Sequence, residues 1–454
     1  MPKEALDRRA RRIAIGSGLS LGAVFGLAAS AQATDYTVDR IDDPFPAAGA
    51  CVLSTPNDCT LRGALIDADS NAAADRVLFQ SGVTGTVTLS SQGLSVTHPV
   101  DIVGPGANVL AVSGGNGQRV FDTEQGTVGD PVTISGLTLT AGYGSGNVGG
   151  GAIYSKDTYL TIESSTISNS TAGQVDEYVG GAIHQVGDEL LVRNSTISGN
   201  KGGNGGGIDA LGADVGILSS TISGNTATGT GSGSGYGYGG GVWLDVGTAG
   251  GSLVIYDSTI SGNHAYDGGG ITSNASASGT SGIINTVVAN NTATAVTPHR
   301  DLRNAGTDPF ELAHSLVESP AGASIVDINN FAGSNILGED PQLGALAANG
   351  GPTQTLKPSL TSPVLDKGLA TLGFSSDQRG EPRSFDIPTV TNTITGDAAD
   401  IGAVELQASD FVTGAEPTPA PPQPSTTKKK CKKKKHKRSA DAAKKKKCKK
   451  KKKH

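Results

Sequence analysis

Charged side chains that could act on a polysaccharide lie between residues 150 and 270, in the glycine-rich centre of the chain. A lyase would need a cationic base beside carboxylates that bind calcium, and a hydrolase would need two or three carboxylates on one face. The cations in this region are Lys156, Arg193 and Lys201. The candidate carboxylates are Asp209, Asp214, Asp245, Asp257 and Asp267. They fall at different phases of a local repeat, so the pattern disfavours catalysis and leaves a carbohydrate-active enzyme, lyase or hydrolase, as the alternative.

Familiar catalytic and metal-binding motifs are also missing from the sequence. There is no H-E-x-x-H or C-x-x-C, and the only G-x-S-x-G spans residues 18–22 in the apolar N-terminal segment. A calcium-binding nonapeptide roll would need Asp where Gly206 and Gly207 stand. We therefore predict no cofactor, and calcium has no motif in its favour.

Two cysteines have a spacing that suits a structural role. Cys51 and Cys59 enclose seven residues that include Pro56, Asn57 and Asp58, which is a turn-like composition. A disulfide could close this loop in an exported protein, and we predict that the two residues pair.

Two phrases alternate through the centre of the chain and set the positions of all these side chains. A G-G-x-I phrase, in which Val replaces Ile once, occurs at residues 150–153, 180–183, 205–208, 239–242 and 268–271. An S-T-I-S phrase occurs at 165–168, 195–198, 220–223 and 258–261, and the last three copies continue as Gly-Asn. A repeat of about 25 residues with insertions is typical of a solenoid.

Apolar residues between the phrases alternate with a period of two, which indicates strands. Three columns align across the repeats: Leu160, Leu190, Val215 and Leu253; Ile162, Val192, Ile217 and Ile255; and Ile167, Ile197, Ile222 and Ile260. We predict a right-handed parallel β-helix from about residue 75 to 290, with these columns inside. Asn200, Asn225 and Asn263 should then stack as an amide ladder at one corner, and Glu163 should lie beside Arg193.

The residues that follow the G-G-x-I phrases form the strongest candidate binding site. Alternation places them outside the solenoid, and stacking places them in one row. The row contains Tyr154, His184, Asp209, Trp243 and Thr272. Exposed rings beside polar groups suit a glycan or a protein ligand. The alternative is that these are face-filling side chains and that the insertion 226–238 covers Trp243.

Several of these motifs resemble families of exported bacterial surface proteins. The G-G-A-I and I-S-G-N phrases resemble polymorphic outer-membrane protein repeats, which belong to adhesin-type β-helices. Ile197 and Ile222 stand where those repeats have Phe. Cys59–Leu65, with Asp75–Phe79 and Gly104–Gly106, is similar to the N-terminal CSLREA domain, although Gly63 replaces its Glu.

A third resemblance covers the C-terminal part of the body. Motifs similar to the choice-of-anchor Q family occur at residues 340–344, 349–353, 362–366, 377–380 and 400–405. Together the three resemblances cover roughly residues 35–407. They imply a surface-displayed β-helix and bring no catalytic residues with them.

Composition divides the chain into six parts. Residues 1–33 have the pattern of an export signal. Arginines precede an apolar stretch, and Ala31-Gln32-Ala33 has the small residues of a cleavage site. We assign 34–74 to an N-terminal cap with the disulfide, 75–300 to the β-helix, 301–410 to its C-terminal coils and cap, 411–427 to a proline-rich linker, and 428–454 to a disordered lysine-rich tail. Glycine is abundant, at 66 residues, and charged residues are 17%, which argues against helical bundles and coiled coils.

The charge distribution suggests how the protein attaches to a surface. Residues 34–427 contain 13 basic and 39 acidic residues, a net charge of −26, whereas Lys428–His454 has 18 basic residues and one Asp. We expect an exported, extracellular or cell-surface protein that acts in adhesion or passive binding. Its tail would bind anionic envelope polymers or lipids, and we expect neither a nucleic-acid partner nor a transmembrane helix.

Overall fold

A computed structural model describes residues 33–44, 51, 55–124, 129–145, 149–173, 180–229, 237–247, 250–276, 280–328, 331–370, 374–393 and 395–411. The predicted tail, almost all of the predicted signal and linker, and Cys431 and Cys448 lie outside these residues. None of the helices in these ranges is long and apolar enough to cross a bilayer.

The strands, numbered β1 to β37 along the chain, form four parallel sheets and one hairpin. Sheet 1 contains β1 (Asp35–Val38), β2 (Asp75–Phe79), β5 (Val100–Val103), β8 (Asp130–Ser135), β12 (Thr158–Glu163), β16 (Glu189–Arg193), β20 (Asp214–Leu218), β24 (Ser252–Tyr256), β28 (Ser281–Ile284), β32 (Phe310–Ala313) and β34 (Ile325–Asp327). Sheet 2 contains β3 (Gly85–Thr88), β6 (Leu110–Ser113), β9 (Thr138–Thr140), β13 (Thr166–Ser168), β17 (Thr196–Ser198), β21 (Thr221–Ser223), β25 (Thr259–Ser261), β29 (Val287–Ala289), β33 (Leu316–Val317) and β35 (Ile336–Leu337).

The other two sheets lie between the S-T-I-S strands of one coil and the next strand of sheet 1. Sheet 3 contains β4 (Leu94–Ser95), β7 (Phe121–Glu124), β11 (Ile153–Lys156), β15 (Ile183–Val186), β19 (Ile208–Leu211), β23 (Val242–Asp245), β27 (Ile271–Ser273) and β31 (Leu302–Asn304). Sheet 4 contains the short strands β10 (Tyr143–Gly144), β14 (Thr171–Ala172), β18 (Lys201–Gly202), β22 (Thr226–Ala227), β26 (His264–Ala265) and β30 (Thr292–Ala293).

One coil of the solenoid runs through β11, β12, β13 and β14 before β15 pairs in parallel with β11. The register joins equivalent residues of successive repeats, as in the pairing of Ile167 with Ile197 and of Ile197 with Ile222. The predicted parallel β-helix is therefore confirmed. The three predicted apolar columns are all buried, and a fourth, with Ile153, Ile183 and Ile208, lines the core from sheet 3.

The predicted asparagine ladder forms at the corner after sheet 2. Nδ2 of Asn200 donates to Oδ1 of Asn225 at 2.9 Å, and Nδ2 of Asn225 donates to Oδ1 of Asn263 at 3.0 Å. Asn291 adds a further rung and donates to Asp301. The Gly before each of the three predicted rungs has a φ between 65° and 71°, which places each Asn side chain inward at the turn.

A second ladder, of hydroxyl groups, forms at the corner between sheets 1 and 2. The Ser of each S-T-I-S phrase accepts a backbone N–H from the coil before it, as when Ser165 N donates to Ser195 Oγ at 3.1 Å. The same Oγ donates to the carbonyl two residues earlier, here that of Arg193 at 2.7 Å. The repeated Ser therefore satisfies buried backbone groups at a corner where sheet pairing is interrupted.

An N-terminal cap covers the first coils. Its helix α1 (Leu61–Ala68) begins at Thr60, whose side chain accepts a hydrogen bond from the Gly63 N–H, and a disulfide joins Cys51 to Cys59. Arg62 is buried and pairs with Asp43 through two contacts of 2.7 and 2.8 Å. The C-T-L-R motif thus supplies a cross-link, a helix cap, a core residue and a buried ion pair.

The described residues between 340 and 411, here called the C-terminal layer, pack on the outside of sheets 1 and 2. The layer contains the antiparallel strands β36 (Leu343–Ala347) and β37 (Thr355–Pro358) and the 3-10 helix Ala408–Phe411. Val364, Leu365 and Leu406 of the layer form an apolar cluster with Val287 and Leu316. Phe374 packs against a second cluster, which contains Leu218 and Tyr256. The layer therefore buries outward residues of both sheet 1 and sheet 2.

Polar residues of the C-terminal layer reach individual solenoid strands. Gln378 accepts a 2.6 Å hydrogen bond from Thr221, and it donates to Thr196 at 3.0 Å. Arg383 is fully buried, 3.7 Å from Asp257, and donates to the Asp257 and Gly402 carbonyls. These contacts explain why the outward Thr residues of the S-T-I-S phrases are buried here.

Candidate functional site

The predicted outward row forms in register on sheet 3. Tyr154 pairs with His184, His184 with Asp209, Asp209 with Trp243, and Trp243 with Thr272. The same row continues to Asp122 before Tyr154 and to Arg303 after Thr272. The row is therefore longer than the repeat phrases indicate.

The expectation that this row faces solvent is wrong for four of its five predicted members. His184 is 7% exposed, Asp209 2%, Trp243 5% and Thr272 0%, and Tyr154 alone is half-buried. The glycine segment that precedes each strand folds back over the strand's first outward side chain. A Cβ at Gly268 would meet Thr272 Oγ1 at 1.9 Å, and one at Gly205 would meet Asp209 Cα at 2.7 Å, so only glycine permits this approach.

Trp243 is covered as the alternative interpretation expected. Tyr238, at the end of the 226–238 insertion, stacks on Trp243 with ring centroids 5.7 Å apart. The Arg303 guanidinium lies 4.2 Å from the Tyr238 ring centroid and pairs with Asp267 at 2.9 Å. This end of the row is a packed cluster rather than an open binding platform.

The middle of the row is a stack of rings and charges. The Tyr154 ring stacks on His184 at 5.8 Å, and His184 Nδ1 lies 3.1 Å from Asp209 Oδ2. Both members of this His–Asp pair are buried. The structure brings these sequence-predicted residues together but covers them.

An open cleft lies at the upstream end of the same row. Its volume is about 320 Å³, and it is lined by Gln92, Gly93, Ser95, Gly117, Gln118, Arg119, Asp122, Tyr143 and Ser145. Asp122 and Ser95 come from neighbouring strands of sheet 3, and Tyr143 begins β10 of sheet 4. The coil that forms the cleft lacks the glycine run found in the later coils. The outer face of sheet 3 is therefore uncovered at this position.

Arg119 and Asp122 organise the wall of this cleft. Arg119 Nη1 donates to Asp122 Oδ2 at 2.6 Å, while its Nε and Nη2 donate to the carbonyls of Gly150 and Gly149. The guanidinium also lies 5.1 Å from the Tyr154 ring centroid. Burial raises the pKa of the Asp122 carboxyl, and the charge of Arg119 partly opposes that rise.

A smaller cavity of about 180 Å³ shares Gln92, Gly93 and Ser95 with the cleft. The rest of its lining comes from helix α1, from Asp69 at the C-terminal end of that helix and from β4, and comprises Arg62, Leu65, Ile66, Asp69 and Leu94. The two cavities together extend the surface available to a ligand across the boundary between the cap and the first coils.

The candidate catalytic carboxylates between residues 150 and 270 each have separate partners and do not form a group. Asp209 meets His184, Asp214 meets Ser252, Asp245 meets Asn274, Asp257 meets Arg383, and Asp267 meets Arg303 and His299. Of the candidate cations, Lys156 pairs with Glu124 and Arg193 with Glu163. Within the described ranges, no three His, Cys, Asp or Glu side chains are grouped to hold a metal ion.

The residues of the cleft were missed by the sequence analysis because their coil lacks the G-G-x-I phrase. Gln118-Arg119-Val120-Phe121 stands in that position, and Phe121 pairs with Ile153. Extending the apolar columns one coil upstream would have placed Asp122 in the outward row. Nothing in the sequence pattern indicates Tyr143 or Gln92.

Comparisons with known proteins assign the chain to no family. No family model matches the chain, and no curated protein matches it. Among solved structures, the crystal structure of pectate lyase Pel9A is similar, with 14% identity and a TM-score of 0.41, and the alignment covers 83% of this chain and 97% of that one.

Proposed function

We propose that this chain is an exported, surface-associated β-helix protein that binds carbohydrate, without catalysis, in the cleft around Arg119, Asp122 and Tyr143. The observation that supports this best is the open cleft itself, which combines an aromatic ring with amide, hydroxyl and carboxylate groups. Sugars present hydroxyl groups and apolar ring faces, and such a lining can satisfy both. Binding in this position would leave the rest of the solenoid as a rigid support.

Retention on cell-wall or matrix glycans tests the proposed binding site. We expect Tyr143→Ala to weaken retention about tenfold, because an aromatic contact in a binding site contributes on the order of 1 kcal/mol or more. Tyr159→Ala is the matched control, since Tyr159 is 49% exposed on sheet 1, away from the cleft. Equal retention of both variants and the wild type would count against the cleft.

Trp243→Ala, the substitution that the sequence pattern would favour, is unsuited to this test. Trp243 is packed under Tyr238, so its loss would change folding as well as any binding.

The surface association rests on the terminal segments, which lie outside the described residues. The lysine-rich tail, Lys428–His454, would attach electrostatically to anionic polymers or lipids, with each lysine contributing about 1 kcal/mol near an acidic surface. We expect about 1 M NaCl to release the protein from cells, because screening shortens the Debye length to about 3 Å. Truncation after Thr427 should leave the protein in the medium. A truncated form that stays cell-associated in high salt would contradict this anchor.

A carbohydrate-active enzyme is the second candidate, and one observation favours it. Asp122 is a carboxylate with a raised pKa inside an open cleft, which is a property of general acids. Assays for reducing sugars and unsaturated products on acidic and neutral polysaccharides, with and without calcium, separate the two functions. Product that disappears in Asp122→Asn would favour the enzyme.

A further inference from the structure

The charged side chains that line the cleft and the smaller cavity already have partners within the protein. The cleft contains one cation, Arg119, and one anion, Asp122, which contact each other at 2.6 Å. In the smaller cavity, Arg62 is paired with the buried Asp43 rather than left for a ligand. Asp69 of that cavity accepts backbone N–H groups from Thr97 and His98. The described lining of the two cavities therefore offers no uncommitted positive charge.

Arg119 is also held in place by neutral groups. All three of its guanidinium nitrogens donate hydrogen bonds, to Asp122 and to the carbonyls of Gly149 and Gly150, and the Tyr154 ring packs beside it. A ligand carboxylate that approached Arg119 would also approach Asp122. It would place two carboxylates beside one guanidinium whose charge Asp122 already balances.

The remaining side chains suit uncharged hydroxyl groups. Gln92 and Gln118 each offer both a donor and an acceptor, Ser95 and Ser145 can do the same, and Tyr143 supplies a ring. The whole body around the cleft is acidic, since residues 34–427 carry a net charge of −26. A field of this sign lowers the local concentration of anionic ligands.

From this charge balance we infer that the cleft is specific for neutral oligosaccharides and discriminates against polyuronates. The inference rests on the proposed binding function and names the class of sugar that the site accepts. Asp122 acts as the selectivity residue, because it neutralises Arg119, the only cation among the described residues that line the cleft, and repels a second carboxylate.

Matched pairs of sugars test the inference on the full-length protein. Binding of neutral hexasaccharides of galactose, glucose and mannose is compared with that of the corresponding hexauronates by titration calorimetry. We expect at least about tenfold tighter binding of a neutral sugar, and an affinity for it that changes less than about twofold between 0.05 and 1 M NaCl, since neutral contacts are not screened.

Substitution of Asp122 should shift this selectivity. Asp122→Asn leaves the charge of Arg119 unbalanced, so the preference for neutral sugars should fall at least about fivefold and uronate binding should gain salt dependence. Asp101→Asn removes a half-exposed carboxylate on sheet 1 and should leave the preference unchanged. Circular dichroism establishes that each variant is folded, and the salt series on the wild type needs no variant at all.

The outcomes separate the two claims. Tighter binding of hexauronates, lost in Tyr143→Ala, would overturn the inference while the proposed binding function stands. Binding of neither class of sugar to the wild type would overturn both. A preference for neutral sugars that is the same in Asp122→Asn and in the wild type would show that Asp122 does not set the selectivity, and would overturn that assignment.

Discussion

The coils of the solenoid and the C-terminal layer bury polar groups in opposite ways. In the coils, one residue type serves the same purpose repeatedly, as when Asn200, Asn225 and Asn263 satisfy one another at successive turns. In the C-terminal layer each buried polar residue has its own partners, as when Arg383 meets Asp257 while Gln378 meets Thr196 and Thr221. The coils are therefore stabilised by hydrogen bonds that recur from coil to coil along the solenoid axis. The C-terminal layer instead depends on individual contacts that each occur once.

This difference predicts how each region responds to substitution. A repeat array loses roughly the nearest-neighbour contacts of one coil, because each coil touches only the coils beside it. A buried ion pair that loses one partner leaves the other charge without compensation, which costs more free energy than the pair itself contributed. We therefore expect the largest effects in the C-terminal layer and the smallest on the exposed faces of the coils.

Removing the buried guanidinium of the C-terminal layer should be the most damaging single change. Arg383→Met leaves the fully buried Asp257 carboxylate unpaired, and we expect a loss of about 3–5 kcal/mol in the free energy of unfolding, measured by urea denaturation at neutral pH. The double variant with Asp257→Asn should recover most of this loss. A loss under about 1 kcal/mol for the single variant would make this pair no more important than a surface contact.

The stability of the C-terminal layer should also depend on pH. Burial raises the pKa of Asp400 to about 7, and burial together with the charge of Asp400 raises that of Glu405 to about 8. In the unfolded chain both groups ionise near pH 4, so between pH 4 and 8 the folded state holds more protons. Stability is therefore greatest at the acidic end of this window and falls as pH rises through it.

Thermal unfolding across this window measures the effect. Counting one proton for the interacting pair, we expect a loss of about 3 kcal/mol between pH 5 and 8. Glu405→Gln should flatten the profile, whereas Thr226→Ala, which removes no titrating group, should leave its slope unchanged. A stability that rises from pH 5 to 8 would show that the backbone N–H groups bound to Asp400 and Glu405 outweigh their burial.

The asparagine ladder should give an intermediate effect. Asn225 donates to the Ile197 carbonyl and to Asn263, and its Oδ1 accepts from the backbone and side chain of Asn200. Asn225→Ala leaves several of these buried groups unsatisfied, and we expect a loss of about 2 kcal/mol in urea unfolding. Thr226→Ala, at the next and half-buried position, is the control and should lose under about 0.5 kcal/mol. Equal losses would mean that the ladder adds nothing to the packing of the corner.

The same contrast explains what the sequence could and could not predict. Residues that stack on one another in the solenoid occupy equivalent positions in the repeat. Aligning the repeats was therefore enough to predict the apolar columns, the Asn ladder and the contact between Glu163 and Arg193. Asp257, the ionic partner of Arg383, lies 126 residues away in the chain and has no periodic counterpart. Coverage of Trp243 could be stated only as one of two alternatives, because the period-two pattern distinguishes inward from outward residues but does not show which outward faces another segment covers.

The smallest effect should come from the ion pair on the outer face of neighbouring coils. Glu163 Oε2 lies 2.5 Å from Arg193 Nη2, in the predicted register, and the two side chains are 29% and 31% exposed. Solvent screens such a pair, so a double-mutant cycle of Glu163→Gln and Arg193→Met in urea unfolding should give a coupling energy under about 1 kcal/mol, reduced further in 1 M NaCl. A coupling of about 3 kcal/mol or more, equal to that expected between Arg383 and Asp257, would abolish the distinction between the two regions. It would mean that the ion pair between equivalent residues of neighbouring coils contributes as much free energy as the buried ion pair of the C-terminal layer.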